Sequence, residues 1–89
     1  MTFREAFLAA CELNPKAMKG QAKLLARLRK ADIRLTRVRN RWARIEKRVV
    51  ARYRKDTGKE VGDWRTILDW LVENLPAILQ ILMAMLMLF

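Results

Sequence analysis

Arginines recur every seven residues through the middle of this sequence, and the chemistry they offer is the binding of anions. Their planar guanidinium groups suit bidentate contact with phosphate. Basic side chains fill nearly every position outside one apolar row, so the pattern does not indicate readout of a base sequence. The residues that we expect to bind a polyanion are Arg27, Lys30, Arg34, Arg37, Arg41, Arg44, Arg48 and Arg52.

The charge of this region favours an anionic partner. Between Lys23 and Lys59, fifteen Lys or Arg residues stand against only three acids, which are Asp32, Glu46 and Asp56. Like charges four residues apart destabilise an isolated helix by about 0.2–0.5 kcal/mol per pair. Nucleic-acid phosphates, which bind in a salt-dependent way, or anionic lipid headgroups would relieve this repulsion. The alternative is a solvated basic face that keeps a small protein in solution.

An enzyme is not expected. The 89 residues contain no His and a single Cys, which excludes His-based acid–base catalysis, an internal disulfide and the common zinc sites. Asp69 and Glu73 are the carboxylates best placed for chemistry, but neither has a base or a metal ligand beside it. We therefore expect no catalytic residue, cofactor or metal, and we interpret Cys11 as an inert buried thiol.

The composition predicts one small all-α domain that begins with a short amphipathic helix over residues 1–14. Thr2 and Glu5 form a capping-box pattern at its start. Arg4, Glu5 and Glu12 interrupt the apolar run that a secretory signal peptide would need, so none is expected. The apolar face comprises Phe3, Phe7, Leu8, Ala10 and Cys11.

A long basic helix is predicted over residues 15–56, with Asn14 as its cap and Pro15 in its first turn. Apolar residues alternate there at spacings of four and three, as in a coiled coil. We call this row the heptad seam and expect it to pack against another helix. Trp42 and Tyr53 lie among the arginines and could stack on bases. Trp42 belongs to the seam, which favours packing over stacking, and the role of Tyr53 stays open. The heptad seam comprises Leu24, Leu28, Ala31, Leu35, Val38, Trp42, Ile45 and Val49.

Residues 57–63 contain two glycines and predict a turn, after which an apolar C-terminal helix over residues 64–89 would complete a helical hairpin. Asp63 is its expected N-cap. Residues 67–89 would extend about 34 Å as a helix, enough to span a bilayer. Within this helix Asp69, Glu73 and Gln80 form a polar stripe, which Ala84 and Met87 continue.

Two interpretations of the C-terminal helix stay open. As a membrane anchor, it would place Trp64 and Trp70 at the interface and keep the basic helix on the side of synthesis. As an assembly interface, it would instead pack on the heptad seam or on other copies of the chain. The polar stripe would face protein or a wet cavity in a membrane, because carboxylates exposed to lipid are unfavourable.

The segment Trp70–Leu82 reads Trp-x-x-Glu-Asn-Leu-Pro-Ala-Ile-Leu-x-Ile-Leu, and it follows a basic helical body. This arrangement resembles the minor virion or membrane-associated structural proteins of bacteriophages. The resemblance covers mostly the C-terminal third and implies a structural protein between a capsid or membrane and a packaged genome. It assigns no individual residue a role.

We therefore expect a non-enzymatic structural or assembly protein, present in several copies, in a virion or at the cytoplasmic face of a membrane. Its basic helix would contact nucleic acid or an anionic surface, and its C-terminal helix would enter lipid or a protein interface. One alternative is a membrane-permeabilising protein of the holin or toxin kind. Another is a soluble, oligomeric coiled-coil protein that binds nucleic acid.

Overall fold

The computed structural model describes residues 1–86, except for the side chain of Leu86, and this part of the chain contains helices and no strands. The prediction of an all-α fold is confirmed. Its elements are α1 (Phe3–Leu13), α2 (Ala22–Lys30), α3 (Thr36–Thr57), a 3₁₀ turn (Trp64–Ile67), α4 (Leu68–Glu73) and α5 (Leu75–Leu86).

Helix α1 forms as the sequence predicts. Thr2 Oγ1 accepts a hydrogen bond from Glu5 N at 3.2 Å, and the Glu5 carboxylate accepts one from Thr2 N at 3.2 Å. These reciprocal bonds satisfy two amide groups that the first helical turn leaves without helical partners. The buried face of α1 consists of Phe3, Ala6, Phe7, Ala10 and Cys11.

The prediction of one long helix over residues 15–56 is wrong. Such a helix would extend about 60 Å, whereas the largest dimension of the fold is 32 Å. Residues 15–20 form turns, in which Asn14 Oδ1 accepts a hydrogen bond from Ala17 N, and Gly20 adopts a φ of +82° that favours glycine.

A second interruption separates α2 from α3 at residues 31–35. Asp32 Oδ1 accepts a hydrogen bond from Arg34 N at 2.9 Å, and the Asp32 main-chain oxygen accepts one from Leu35 N at 3.2 Å. Aspartate offers the backbone such local bonds in place of helical ones. The helix therefore ends at this point although no Pro or Gly is present.

The break between α2 and α3 divides the heptad seam in two, so its residues do not form the continuous row of a straight coiled coil. Leu28, Ile45 and Val49 are buried in the core of the same chain. Leu35, at the break, is 57% exposed and does not pack in this core. The seam residues Leu24, Ala31, Val38 and Trp42 are partly buried.

The turn after α3 lies where the sequence predicts it. Gly58 has a φ of +70°, and its amide donates to Arg54 O at 2.8 Å, as in a left-handed helix C-cap. Asp63 then caps the 3₁₀ turn by accepting a hydrogen bond from Arg65 N at 3.1 Å.

The single C-terminal helix predicted over residues 64–89 is interrupted, which is a further correction. The axis bends by 93° between 64–73 and 75–85, at Asn74. Pro76 has no amide hydrogen to donate to Val72 O, the bond that an uninterrupted helix would make. The predicted continuation of the helix through Met87 to Phe89 lies outside the described residues.

One core joins the pieces. Helix α1 packs on α4, and α5 packs on α3. Phe7, Leu71, Leu75, Ile78 and Leu82 are nearly inaccessible to solvent. The apolar residues of the C-terminal segment thus form much of the interior of the fold, and the basic side chains of α3 are left outside.

Candidate polyanion-binding surface

Six basic side chains follow one face of α3. At 100° per residue they fall within an arc of about 80° and extend along about 27 Å of helix. All are exposed except Arg41, which is half-buried. We call this face the basic stripe, and it comprises Arg37, Arg41, Arg44, Arg48, Arg52 and Lys55.

Both carboxylates of α3 bind tryptophans of the C-terminal segment. Glu46 Oε1 accepts a hydrogen bond from Trp64 Nε1 at 3.0 Å, and Asp56 Oδ2 accepts one from Trp70 Nε1 at 2.8 Å. Within the described residues, neither acid forms an ion pair with Arg37, Arg44, Arg48, Arg52 or Lys55. These bonds hold the α3 carboxylates against neighbouring structure and leave the charge of the stripe strongly positive.

The ion pairs of residues 1–86 lie elsewhere and are all exposed. Arg29 pairs with Glu12 at 3.1 Å, Arg34 with Asp32 at 3.2 Å, and Arg54 with Glu60 at 2.6 Å. None involves Arg37, Arg44, Arg48, Arg52 or Lys55. Exposed pairs of this kind contribute little to stability, about 0–1 kcal/mol each.

Positive charges from Arg37 and Arg44 are crowded around Arg41. Desolvation lowers the pKa of its guanidinium, and the neighbouring charges of Arg37 and Arg44 lower it further. An anion placed at this position would counter the repulsion between these side chains. Positive charge is therefore concentrated at the centre of the basic stripe.

The expected polyanion-binding residues do not all share one surface. Arg37, Arg41, Arg44, Arg48 and Arg52 lie on the basic stripe, and Lys55, which sequence reasoning missed, continues it at the same helical spacing. The others lie before α3: Arg27 and Lys30 are exposed on α2, and Arg34 is exposed at the break.

Neither aromatic residue considered for base stacking is freely exposed. Tyr53 is 7% exposed and contacts Trp70 edge-to-face, with ring centroids 5.1 Å apart. Trp42 is half-buried, and its ring centroid lies 6.0 Å from those of Phe3 and Phe7. Tyr53 is therefore a core residue, whereas Trp42 keeps part of its surface at the edge of the core.

The C-terminal polar stripe lies on two helices. Asp69 and Glu73 are exposed on α4, and Gln80 is exposed on α5, beyond the bend. Within residues 1–86 no single helix is both long and apolar enough to cross a membrane. The bent pair 64–73 and 75–85 meets that requirement jointly, by length and composition alone.

The described residues include no cluster of three or more His, Cys, Asp or Glu side chains arranged to hold a metal ion. Cys11 is buried in α1, as predicted. Burial raises the pKa of its thiol to about 11. At neutral pH the side chain is therefore the protonated thiol rather than the reactive thiolate.

Comparison with protein-family models, with curated proteins and with solved structures found no match for this chain.

Proposed function

We propose that this protein is a non-enzymatic structural protein that binds nucleic acid without regard to sequence, through the basic stripe on α3. The observation that carries this proposal is the separation of charges on that helix. Five of its arginines lie together on one face with Lys55, and its two carboxylates, Glu46 and Asp56, bind tryptophan indoles instead.

The dimensions of the basic stripe suit a phosphate backbone. Successive phosphates on one strand of B-DNA are about 3.4 Å apart along the helix axis, so about eight such intervals span the 27 Å of the stripe. A straight row of six basic side chains can contact phosphates along one side of a duplex without contacting base edges. Such contacts fix the position of the nucleic acid and carry no sequence information.

Nucleic acid is favoured over lipid as the partner because the apolar residues of the C-terminal segment are already used. Leu75, Ile78 and Leu82 are completely buried against the rest of the chain. Inserting α5 into a bilayer would remove these side chains from the core. A structural role in a nucleoprotein assembly, such as a virion, follows from this proposal, whereas membrane anchoring or pore formation would require the core to open.

Titration of a labelled duplex with the full chain at several salt concentrations tests the proposal. Six neutralised phosphates predict that log affinity falls with log salt with a slope of about −5. Duplexes of unrelated sequence should bind equally. A slope near zero, or binding to anionic vesicles with no binding to nucleic acid, would refute it.

A further inference from the structure

The chain between α2 and α3 exposes two large aliphatic side chains. Residues 32–37 are exposed without interruption, and we call them the exposed segment. Within it, Ile33 is 45% exposed and Leu35 is 57% exposed. Their Cα atoms are at most about 7 Å apart, because two residues of chain span no more. One exposed aliphatic residue is ordinary on a protein surface, whereas two this close form an apolar patch.

The fold itself does not require aliphatic residues at this place. Leu35 is the N-cap of α3, and its side chain makes no capping hydrogen bond. Asn, Asp, Ser or Thr at that position would stabilise the start of the helix. The other long exposed turn, residues 54–60, contains no large apolar residue. A local preference that is broken without a structural gain is typical of a functional position.

Positive charge surrounds the two aliphatic residues. Residues 27–39 contain six Lys or Arg and one acid, Asp32. That acid is paired with Arg34 at 3.2 Å. Lys30, before the exposed segment, and Arg37, at its end, are both exposed. Aliphatic side chains among basic ones match an anionic membrane surface, where negative headgroups cover hydrocarbon.

Ile33 also lines a groove of the fold together with Phe3 and Trp42. The charged residues of this groove are balanced, since they are Arg4, Arg39, Glu5 and Glu46. The groove therefore extends the apolar surface beside Ile33 without adding net charge. The attraction for anionic headgroups comes from the basic residues of the exposed segment and of the end of α2.

We propose that the exposed segment docks on an anionic lipid surface, with Ile33 and Leu35 at the boundary between headgroups and acyl chains. Lys30, Arg34 and Arg37 contact the headgroups. This contact uses side chains that already lie outside the core, so it does not require the fold to open. It leaves most of the basic stripe available for nucleic acid. The inference goes beyond the nucleic-acid binding proposed above and does not depend on it.

Two other partners fit the exposed segment less well. A second copy of the chain, in a symmetric contact, would place the same basic side chains against each other. Nucleic acid offers phosphates, but its bases stack on aromatic side chains rather than on aliphatic ones. An anionic lipid surface supplies both the negative charge and the hydrocarbon that these residues match.

Flotation on vesicles tests the inference, with equimolar phosphatidylserine and phosphatidylcholine as the anionic vesicles and phosphatidylcholine alone as the uncharged ones. The full chain should float with the anionic vesicles only. Leu35→Asn should weaken this binding about tenfold, because one aliphatic side chain no longer enters lipid. The variant should fold, since Asn is a favoured N-cap. Absence of wild-type binding to the anionic vesicles, or unchanged binding by the variant, would overturn the inference.

Leu13→Asn is the matched control, because it makes the same substitution at a leucine that is 60% exposed on α1, outside the exposed segment. It should bind the anionic vesicles as the wild type does. Ile33→Asn should weaken binding in the same way as Leu35→Asn. An equal loss in Leu13→Asn and Leu35→Asn would mean that the exposed segment has no special part in binding, and the inference would fail.

Cys11 distinguishes this docking from insertion of the C-terminal helices. Its thiol is buried in the core, which insertion of α5 into a bilayer would open. On the anionic vesicles Cys11 should therefore stay as unreactive toward maleimide as it is in the free protein. Rapid modification of Cys11 on the vesicles would show that the core opens, and the proposed docking mode would be wrong.

The outcomes for nucleic acid and for self-association are separate. Leu35→Asn should leave duplex affinity nearly unchanged. Loss of vesicle binding with intact duplex binding leaves the proposed function standing, and loss of duplex binding with intact vesicle binding overturns only that function. Sedimentation equilibrium without lipid covers the remaining case. A wild-type dimer that Leu35→Asn dissociates would assign the exposed segment to a second copy and overturn the inference.

Discussion

The side-chain amide of Asn14 donates a hydrogen bond to the main-chain oxygen of Val72 at 2.8 Å, across 58 positions of sequence. In an uninterrupted helix that oxygen would accept from residue 76, which is a proline without an amide hydrogen. The other side-chain atom of Asn14, Oδ1, accepts from Ala17 N at 3.2 Å. One residue thus stabilises both the turn before α2 and the bend between α4 and α5.

Asn14→Ala should lower the free energy of unfolding by about 1–3 kcal/mol, because it removes a partner from a partly buried carbonyl. Chemical denaturation measures the loss, and Asn40→Ala, on the exposed face of α3, should change stability by less than about 0.5 kcal/mol. Pro76→Ala supplies an amide hydrogen at the bend. If Asn14→Ala costs the same in the Pro76→Ala background, the two positions are not coupled and the account of the bend is wrong.

Asp32→Ala should extend helical structure through residues 31–35, because it removes the acceptor that Arg34 N uses in the turn. Backbone chemical shifts of this segment report the change. Asp32→Asn keeps a side-chain oxygen and should keep the break. The hydrogen bond from Arg34 N also lowers the pKa of Asp32. The stabilisation it provides is therefore present at neutral pH and is lost as the pH falls through that lowered pKa.

Glu46→Ala should destabilise the fold by about 1.5–3 kcal/mol, because it removes a charged acceptor from the indole of the buried Trp64. Glu46→Gln retains an oxygen at the same place and should lose less. Glu60→Ala removes one acid from an exposed pair with Arg54, and should cost less than about 1 kcal/mol. Urea unfolding compares the three variants. An equal loss in Glu46→Ala and Glu60→Ala would contradict a structural role for the Glu46–Trp64 bond.

Cys11 should react with maleimide at neutral pH only when the fold opens, since its thiol is buried and protonated. Burial raises its pKa from 9.0 to about 11. The stabilisation associated with the neutral thiol is therefore complete below pH 9 and is lost as the pH rises toward 11. The stability difference between the wild type and Cys11→Ala should change over that interval. A constant difference from pH 8 to pH 11 would show that the thiol is not desolvated.

Local signals in the sequence were sufficient for part of the fold. The capping box of Thr2 and Glu5 is complete within four residues, so α1 could be predicted with most of its buried face. Ala6 is buried and was missed, and Leu8 is only partly buried. The spacing of Arg37, Arg41, Arg44, Arg48 and Arg52 likewise places these five residues on one face of any helix that contains them. The turn at Gly58 is marked by the residues that form it.

The helix interruptions depend on competition between local and helical hydrogen bonds, and on partners that are distant in sequence. Residues 31–35 have no helix breaker, and the outcome there depends on whether Asp32 bonds locally or the helix continues. Contacts between α1 and α2 favour the broken form, because Arg4 Nη2 donates to Leu28 O at 3.1 Å. Pro76 indicates a bend, but Asn14, whose side chain stabilises that bend, is far away in sequence. Residue spacing alone could also not predict that Glu46 and Asp56 accept hydrogen bonds from tryptophan side chains.

We propose that the basic stripe, rather than the net charge of +10, binds nucleic acid. The most direct measurement is the salt dependence of duplex binding by two variants that lose the same charge from α3. Arg44→Gln/Arg48→Gln lies on the basic stripe, and Arg39→Gln/Lys47→Gln lies outside it. The stripe variant should make the slope of log affinity against log salt shallower by about 2, and the control should leave it nearly unchanged. Equal changes in the two variants would contradict the account.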